Sequence, residues 1–148
     1  MEDPDSLMSI STSGDNETVT TSGITIARAA ELTGLTADTL RYYERDGLML
    51  RPVQRASSGH RRYTQRDLDW IRLVTRLRAT GMAIRDVRHY AELVRTGAGN
   101  EDDRLAFLRA HRQTVLAQLA EVEGHLAAID HKIELYEGIV GDLRARSA

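Results

Sequence analysis

The sequence contains no cysteine. Disulfides, thiolate-bound zinc and thiol redox chemistry are therefore excluded. Two prolines and one phenylalanine occur in 148 residues, and aromatics make up only 5%. With Leu, Ala, Arg and Glu abundant, this mix favours helix over strand. No apolar run reaches the roughly 18 residues of a membrane-spanning helix, and the start lacks a basic-then-apolar secretory pattern. A cytoplasmic protein without a membrane partner is expected. Catalytic signatures are also missing: no nucleophile sits in a motif with its base, and no cofactor loop is found. Gly97-Ala98-Gly99-Asn100 follows no predicted strand and precedes no lysine, so it reads as a connector and not a phosphate loop. Of the five histidines, His125 and His131 lie six apart and do not share a helix face, while His60, His89 and His111 are scattered. No metal, no cofactor and no enzymatic activity are expected.

What is present is an uneven distribution of charge. The whole chain has a formal net charge of −2. Residues 1–23 hold five acids and no base, residues 24–90 hold 13 Arg against seven acids, and residues 91–148 hold seven bases against ten acids. The middle segment alone is basic, and its bases are all arginine. The guanidinium fork suits phosphate and guanine edges. A solvated charged helix face is the alternative reading of charge alone.

The organisation follows the same division. Residues 1–23 carry nine Ser or Thr and almost no large apolar residue. Such a segment buries too little surface to offset its ordering entropy, so a disordered, dispensable tail is expected there. Thr25 is placed to cap a helix over Ile26 to Thr33, ended by Gly34, and Thr36 to cap a second over Ala37 to Arg45, ended by Gly47. Two short helices joined by a glycine-containing turn form a helix-turn-helix unit. Residues 48–63 read as two extended stretches around the tip Ser57-Ser58-Gly59, which suits a hairpin wing. Thr64 precedes a helix from Gln65 to Thr80, and another spans Ile84 to Arg95. The domain expectation is a DNA-binding-type winged unit over 24–96 and a separate helix over 101–144.

That last helix has the most regular pattern. Leu105, Arg112, Leu119, Leu126, Ile133 and Val140 recur every seven residues, interleaved with Leu108, Val115, Val122, Ile129, Tyr136 and Leu143. Eleven of these twelve positions are apolar, and Arg112 is the exception. Heptads sustained this long indicate a coiled coil, and one helix cannot bury such a stripe against itself. The stripe reads as a homodimer seam, with packing on the chain's own core as the alternative.

In the helix pair, Leu32, Leu35 and Leu40 suit the interior. Thr39, Arg41 and Tyr42 suit the outer side of the second helix, and Tyr43 suits the core. The run Thr39-Leu40-Arg41-Tyr42-Tyr43-Glu44, followed by Gly47-Leu48, Pro52, Gly59-His60-Arg61-Arg62-Tyr63 and Asp67, resembles the winged-helix signature of MerR regulators. The resemblance covers residues 24–95 in detail, and the heptad helix fits that family's dimerisation helix. It implies a mainly α fold, a winged helix-turn-helix followed by a coiled coil, that reads double-stranded promoter DNA as an antiparallel homodimer. It further implies bending and untwisting of promoters with overlong spacers, with RNA polymerase as a partner. DNA contacts are expected from Thr36, Thr39, Arg41 and Tyr42 on the recognition helix and from His60, Arg61, Arg62 and Tyr63 on the wing, with Arg41 and Arg61 on the outer face and neutral to folding. His60 stands where the family often has tyrosine.

Two departures stand out. Metal- and redox-sensing members use cysteines, which are absent. Drug-sensing members carry a large C-terminal domain, whereas only about a dozen residues follow Tyr136 here, so none is expected. An excisionase-like or architectural DNA-binding protein is the alternative function, and the long heptad helix argues against it. The seam assignment is testable: replacing Val122 and Ile129 together with Asp puts unpaired charge among apolar side chains, at several kcal/mol. Sedimentation of the double variant is expected to show monomer or unfolded chain. A dimer of unchanged mass contradicts the seam.

Overall fold

The computed structural model describes residues 23–148; the expectation for the acidic tail lies outside the described residues, apart from Gly23. Five helices and one small hairpin follow in order: α1 (Ile26–Thr33), α2 (Ala37–Arg45), β1 (Gln54–Arg55), β2 (Arg61–Arg62), α3 (Gln65–Ala79), α4 (Ile84–Thr96) and α5 (Glu101–Arg146). The fold is thus mainly helical, with a two-strand wing and one long C-terminal helix. The chain forms two compact units, one ending at Phe107 and the other beginning at Leu108.

The helices α1, α2 and α3 each begin where a hydroxyl can take an orphan amide, whereas α4 starts after Ala83 with no side-chain cap. The Thr25 hydroxyl accepts from the Arg28 amide and the Thr36 hydroxyl from the Thr39 amide. At α3 the cap is reciprocal: the Thr64 hydroxyl accepts from the Asp67 amide, and the Asp67 carboxylate accepts from the Thr64 amide at 2.9 Å. This capping box satisfies two of the amides that a helix start leaves unpaired. Gly34 closes α1 with φ of 72°, a left-handed conformation that glycine adopts without strain.

α1 packs on α2 and on α3, and α3 packs on α4. The first unit's core holds Ala29, Leu40, Leu68, Ile71, Val74 and Val87, each essentially inaccessible to solvent. An aromatic column runs through it. Trp70 stacks on Tyr90 (5.8 Å, 16°), and Tyr90 stacks on Phe107 (5.6 Å, 11°). Phe107, at the start of α5, is thereby tied to α3 and α4.

The wing is shorter than residues 48–63. Gln54 pairs with Arg62 and Arg55 with Arg61, antiparallel, around a turn in which the Ala56 amide donates to the His60 carbonyl. Residues 48–51 do not extend the strand, because Leu48 and Met49 are buried and their carbonyls accept from side chains elsewhere in the fold. The Trp70 indole N–H donates to the Leu48 carbonyl at 2.7 Å. Arg88 donates to the Asp46 carbonyl at 2.9 Å and to its carboxylate at 3.0 Å. Arg95 donates to the carbonyls of Gly47 and Met49. Four consecutive carbonyls, 46 to 49, are therefore capped by side chains of α3 and α4.

α5 is continuous over 46 residues and buries none of them fully in the single chain. Leu119, Val122, Leu126, Ile129, Ile133, Tyr136 and Leu143 are all about half exposed.

Trp70→Phe keeps an aromatic ring but leaves the Leu48 carbonyl without its donor. Stability is expected to fall by about 2–4 kcal/mol, from the orphaned carbonyl and the lost ring volume together. Urea denaturation of the full chain measures this, and a loss under 0.5 kcal/mol contradicts the role assigned to the indole N–H.

Candidate nucleic-acid interface

The expected contact residues divide into three groups in the structure. Arg41 is the most available. It is exposed on α2, and its one ion pair, with Asp38 at 2.9 Å, joins it to a carboxylate that is 95% exposed. A pair so solvated contributes little and leaves the guanidinium able to swing to another acceptor. Thr36 is exposed at the N-cap of α2, and its hydroxyl lies 2.9 Å from that of Thr39. These hydroxyls and the first-turn amides line the positive end of the helix dipole. Tyr42 is half-buried, with the Arg45 guanidinium 5.9 Å from its ring centroid. His60 is exposed beside the hairpin tip.

Arg61 and Arg62 form the second group, both half-buried on β2. Arg61 does not stand free on the outer face. Its Nε donates to Glu44 Oε2 at 2.7 Å, and the two side chains are 24% and 20% exposed. Arg55 lies 4.0 Å from the other Glu44 oxygen and donates to the Gly59 carbonyl at 2.9 Å. Glu44 of α2 thus draws together two arginines of the hairpin and links α2 to the wing. The expectation that Arg61 is neutral to folding is corrected accordingly: a part-buried, hydrogen-bonded charge supports the structure that it decorates.

Tyr63 is the third case and a second correction. It is fully buried, and its backbone is consumed by Ile24: the Ile24 amide donates to the Tyr63 carbonyl at 2.8 Å and the Tyr63 amide to the Ile24 carbonyl at 2.9 Å. A Cβ at Gly23 would lie 2.8 Å from the Tyr63 carbonyl oxygen, so the chain passes there only as glycine. The Tyr63 hydroxyl has no hydrogen-bond partner among the described residues. Burial pushes its pKa above the ordinary tyrosine value, with Glu44 acting in the same direction. Tyr63 is a core residue of the wing base and presents no side chain to a ligand on the surface.

Sequence reasoning missed Glu44 as an organiser, although Glu44 lies within the quoted motif. It also missed Trp70, Arg88 and Arg95, whose partners lie 22 to 48 residues away. Tyr43 is buried as expected. Among the described residues no group of three or more His, Asp or Glu is placed to hold a metal ion, and no helix is long and apolar enough to cross a membrane. The surface of α2 and the hairpin offers arginine, hydroxyl and helix-end donors at one side of the unit, which is suited to a polyanion.

Comparison with known proteins adds to this. The sequence pattern described as the MerR HTH family regulatory protein matches residues 24–93. A Haemophilus influenzae protein described as an uncharacterized HTH-type transcriptional regulator is 36% identical over 113 residues, which are 76% of this chain and 83% of the relative. Among solved structures, HiNmlR, described as a MerR family regulator lacking the sensor domain and bound to promoter DNA, superposes with a TM-score of 0.69 at 36% identity, over 76% of this chain and 89% of its own. A MerR family transcriptional regulator from Bacillus thuringiensis superposes with a TM-score of 0.66 at 27% identity, over 74% and 96%.

The Glu44–Arg61 link has a measurable energy. In a cycle of Glu44→Ala, Arg61→Ala and the double variant, a coupling of about 1 kcal/mol is expected in urea unfolding, because the pair is partly screened from solvent. Strict additivity of the two single losses contradicts a structural tie between helix and wing.

Proposed function

Since the chain belongs to the MerR family of HTH regulatory proteins, we propose that it binds double-stranded promoter DNA as a homodimer and regulates transcription there. The observation that carries this reading is HiNmlR, which shares 36% identity and the fold and was solved on promoter DNA. In this reading α2 enters the major groove and the hairpin wing follows the flanking backbone. Arg41, Tyr42, Thr36 and Thr39 make the contacts of α2, and His60, Arg61 and Arg62 those of the wing. The α5 helices of two copies pair through the exposed heptad stripe. The dimer distorts its promoter, bending and untwisting it, and the contacts offset a deformation of several kcal/mol. The partner that reads this distortion is RNA polymerase, in the cytoplasm.

Among these side chains Arg41 is the one that can be removed with least damage to the fold, because its ion pair with Asp38 is solvated. Arg41→Ala is expected to weaken binding to a DNA site selected from random sequence by about tenfold or more, with an unchanged melting temperature. A salt titration on the selected site and on random DNA locates the contact. Loss confined to the selected site marks a base edge. A uniform loss, with the salt slope lowered by about one per subunit, marks a phosphate. Wild-type binding by a dimeric Arg41→Ala protein removes α2 from the interface.

A further inference from the structure

Two arginines of the hairpin share one carboxylate, and the sharing leaves them held in place yet short of negative charge. Resting on the promoter-binding reading above, we propose that Glu44 is a positioning residue of the interface: it holds Arg55 and Arg61 as a pre-oriented clamp for one DNA phosphate, which it does not itself touch.

The clamp begins with strand register. Arg55 and Arg61 are direct cross-strand partners in the antiparallel hairpin. Their side chains therefore leave the sheet on the same face. Like charges directly opposite destabilise a strand pair. Here an acid lies between them. Glu44 Oε2 accepts from Arg61 Nε at 2.7 Å, and Glu44 Oε1 lies 4.0 Å from Arg55 Nη2. Each carboxylate oxygen faces one guanidinium. Two cations around one anion leave a positive charge unmatched, and a phosphate would match it.

The donors left over point the same way. Arg61 spends only Nε, the donor nearest its backbone, on Glu44. Its two Nη groups have no hydrogen-bond partner among the described residues, and neither is buried, so solvent reaches them. Those groups form the outer edge of the guanidinium, which can grip two oxygens of one phosphate. Arg55 is fixed at two points, by Glu44 and by the Gly59 carbonyl, which accepts from its Nη1 at 2.9 Å. That side chain is still 48% exposed.

Holding the arginines before DNA arrives lowers the cost of binding. A long side chain immobilised at an interface gives up rotamer freedom, and one already held gives up less. Glu44 also repels the DNA backbone, because its own charge is negative. The two effects have opposite signs, and the difference in sign makes the positioning role measurable.

The probe is a duplex selected from random sequence by the unmodified chain, titrated at low salt with thermal melts alongside. Glu44→Ala is expected to weaken binding about tenfold, although it removes a negative charge from the surface facing DNA. Glu44→Gln keeps an acceptor oxygen for Arg61 Nε and is expected to bind within about threefold of the unmodified chain. With Arg55→Ala and Arg61→Ala already in place the sign reverses. Nothing is left to position, and adding Glu44→Ala is expected to tighten binding about twofold by relieving repulsion. Arg55→Ala alone is expected to lower the salt slope by about one per subunit. Binding by a folded Glu44→Ala chain as tight as the unmodified one, or tighter, overturns the positioning role. A tenfold loss that persists without both arginines also overturns it, since Glu44 then acts on the fold and not through them. An unchanged salt slope for Arg55→Ala removes Arg55 from the clamp. These outcomes bear on the clamp alone, whereas a folded, unmodified chain that retains no duplex overturns the promoter-binding reading and the clamp with it.

Discussion

Four consecutive backbone carbonyls, from Asp46 to Met49, have nowhere to go in local structure, and the first unit is organised around capping them. The helix α2 has ended and the strand has not begun, so neither an intrahelical amide nor a ladder partner is available. An unmade buried hydrogen bond costs about 1–3 kcal/mol, a penalty that falls on the buried Leu48 carbonyl and in part on those of Asp46 and Met49, while the Gly47 carbonyl lies at the surface. Trp70 of α3 and Arg88 and Arg95 of α4 supply the missing donors. Their side chains hold the turn where α2 gives way to the wing. The aromatic column of Trp70, Tyr90 and Phe107 in turn fixes the indole that reaches Leu48.

This arrangement determines which arginines remain available at the surface. The basic segment carries 13 arginines, and several are committed to the fold. Arg88 serves a backbone carbonyl and Arg61 is bound to Glu44, and beyond the segment Arg95 serves two carbonyls more. Arg41 has only a solvated carboxylate beside it. The same residue type therefore does two jobs within one domain. Its five donors suit both, since a fork that grips two carbonyls also grips two phosphate oxygens. Glu44 joins the two jobs, for it anchors the wing by holding an arginine that also lies at the candidate interface.

α5 is the part of the molecule whose physics a single chain leaves incomplete. Its apolar stripe is half exposed along most of its length. Isolated helices owe little of their stability to propensity and most of it to burial of one face. In the homodimer proposed above, a second copy offers that burial.

Much was legible in the sequence because it depends on near neighbours. Threonine caps three residues before the amides they serve, glycines past helix ends, and a seven-residue repeat are local patterns, and they located all five helices to within about two residues. The basic segment and the ordered motif from Thr39 to Asp67 indicated the candidate interface for the same reason. Tertiary structure alone decided the rest. Whether an arginine is free or occupied depends on acceptors up to 48 residues away, as at Arg95. Whether Tyr63 faces solvent depends on its pairing with Ile24, 39 positions before it. Pattern and spacing specify which residues a helix can present. Burial and hydrogen-bond satisfaction, which are properties of the packed whole, specify which of them are left over to act.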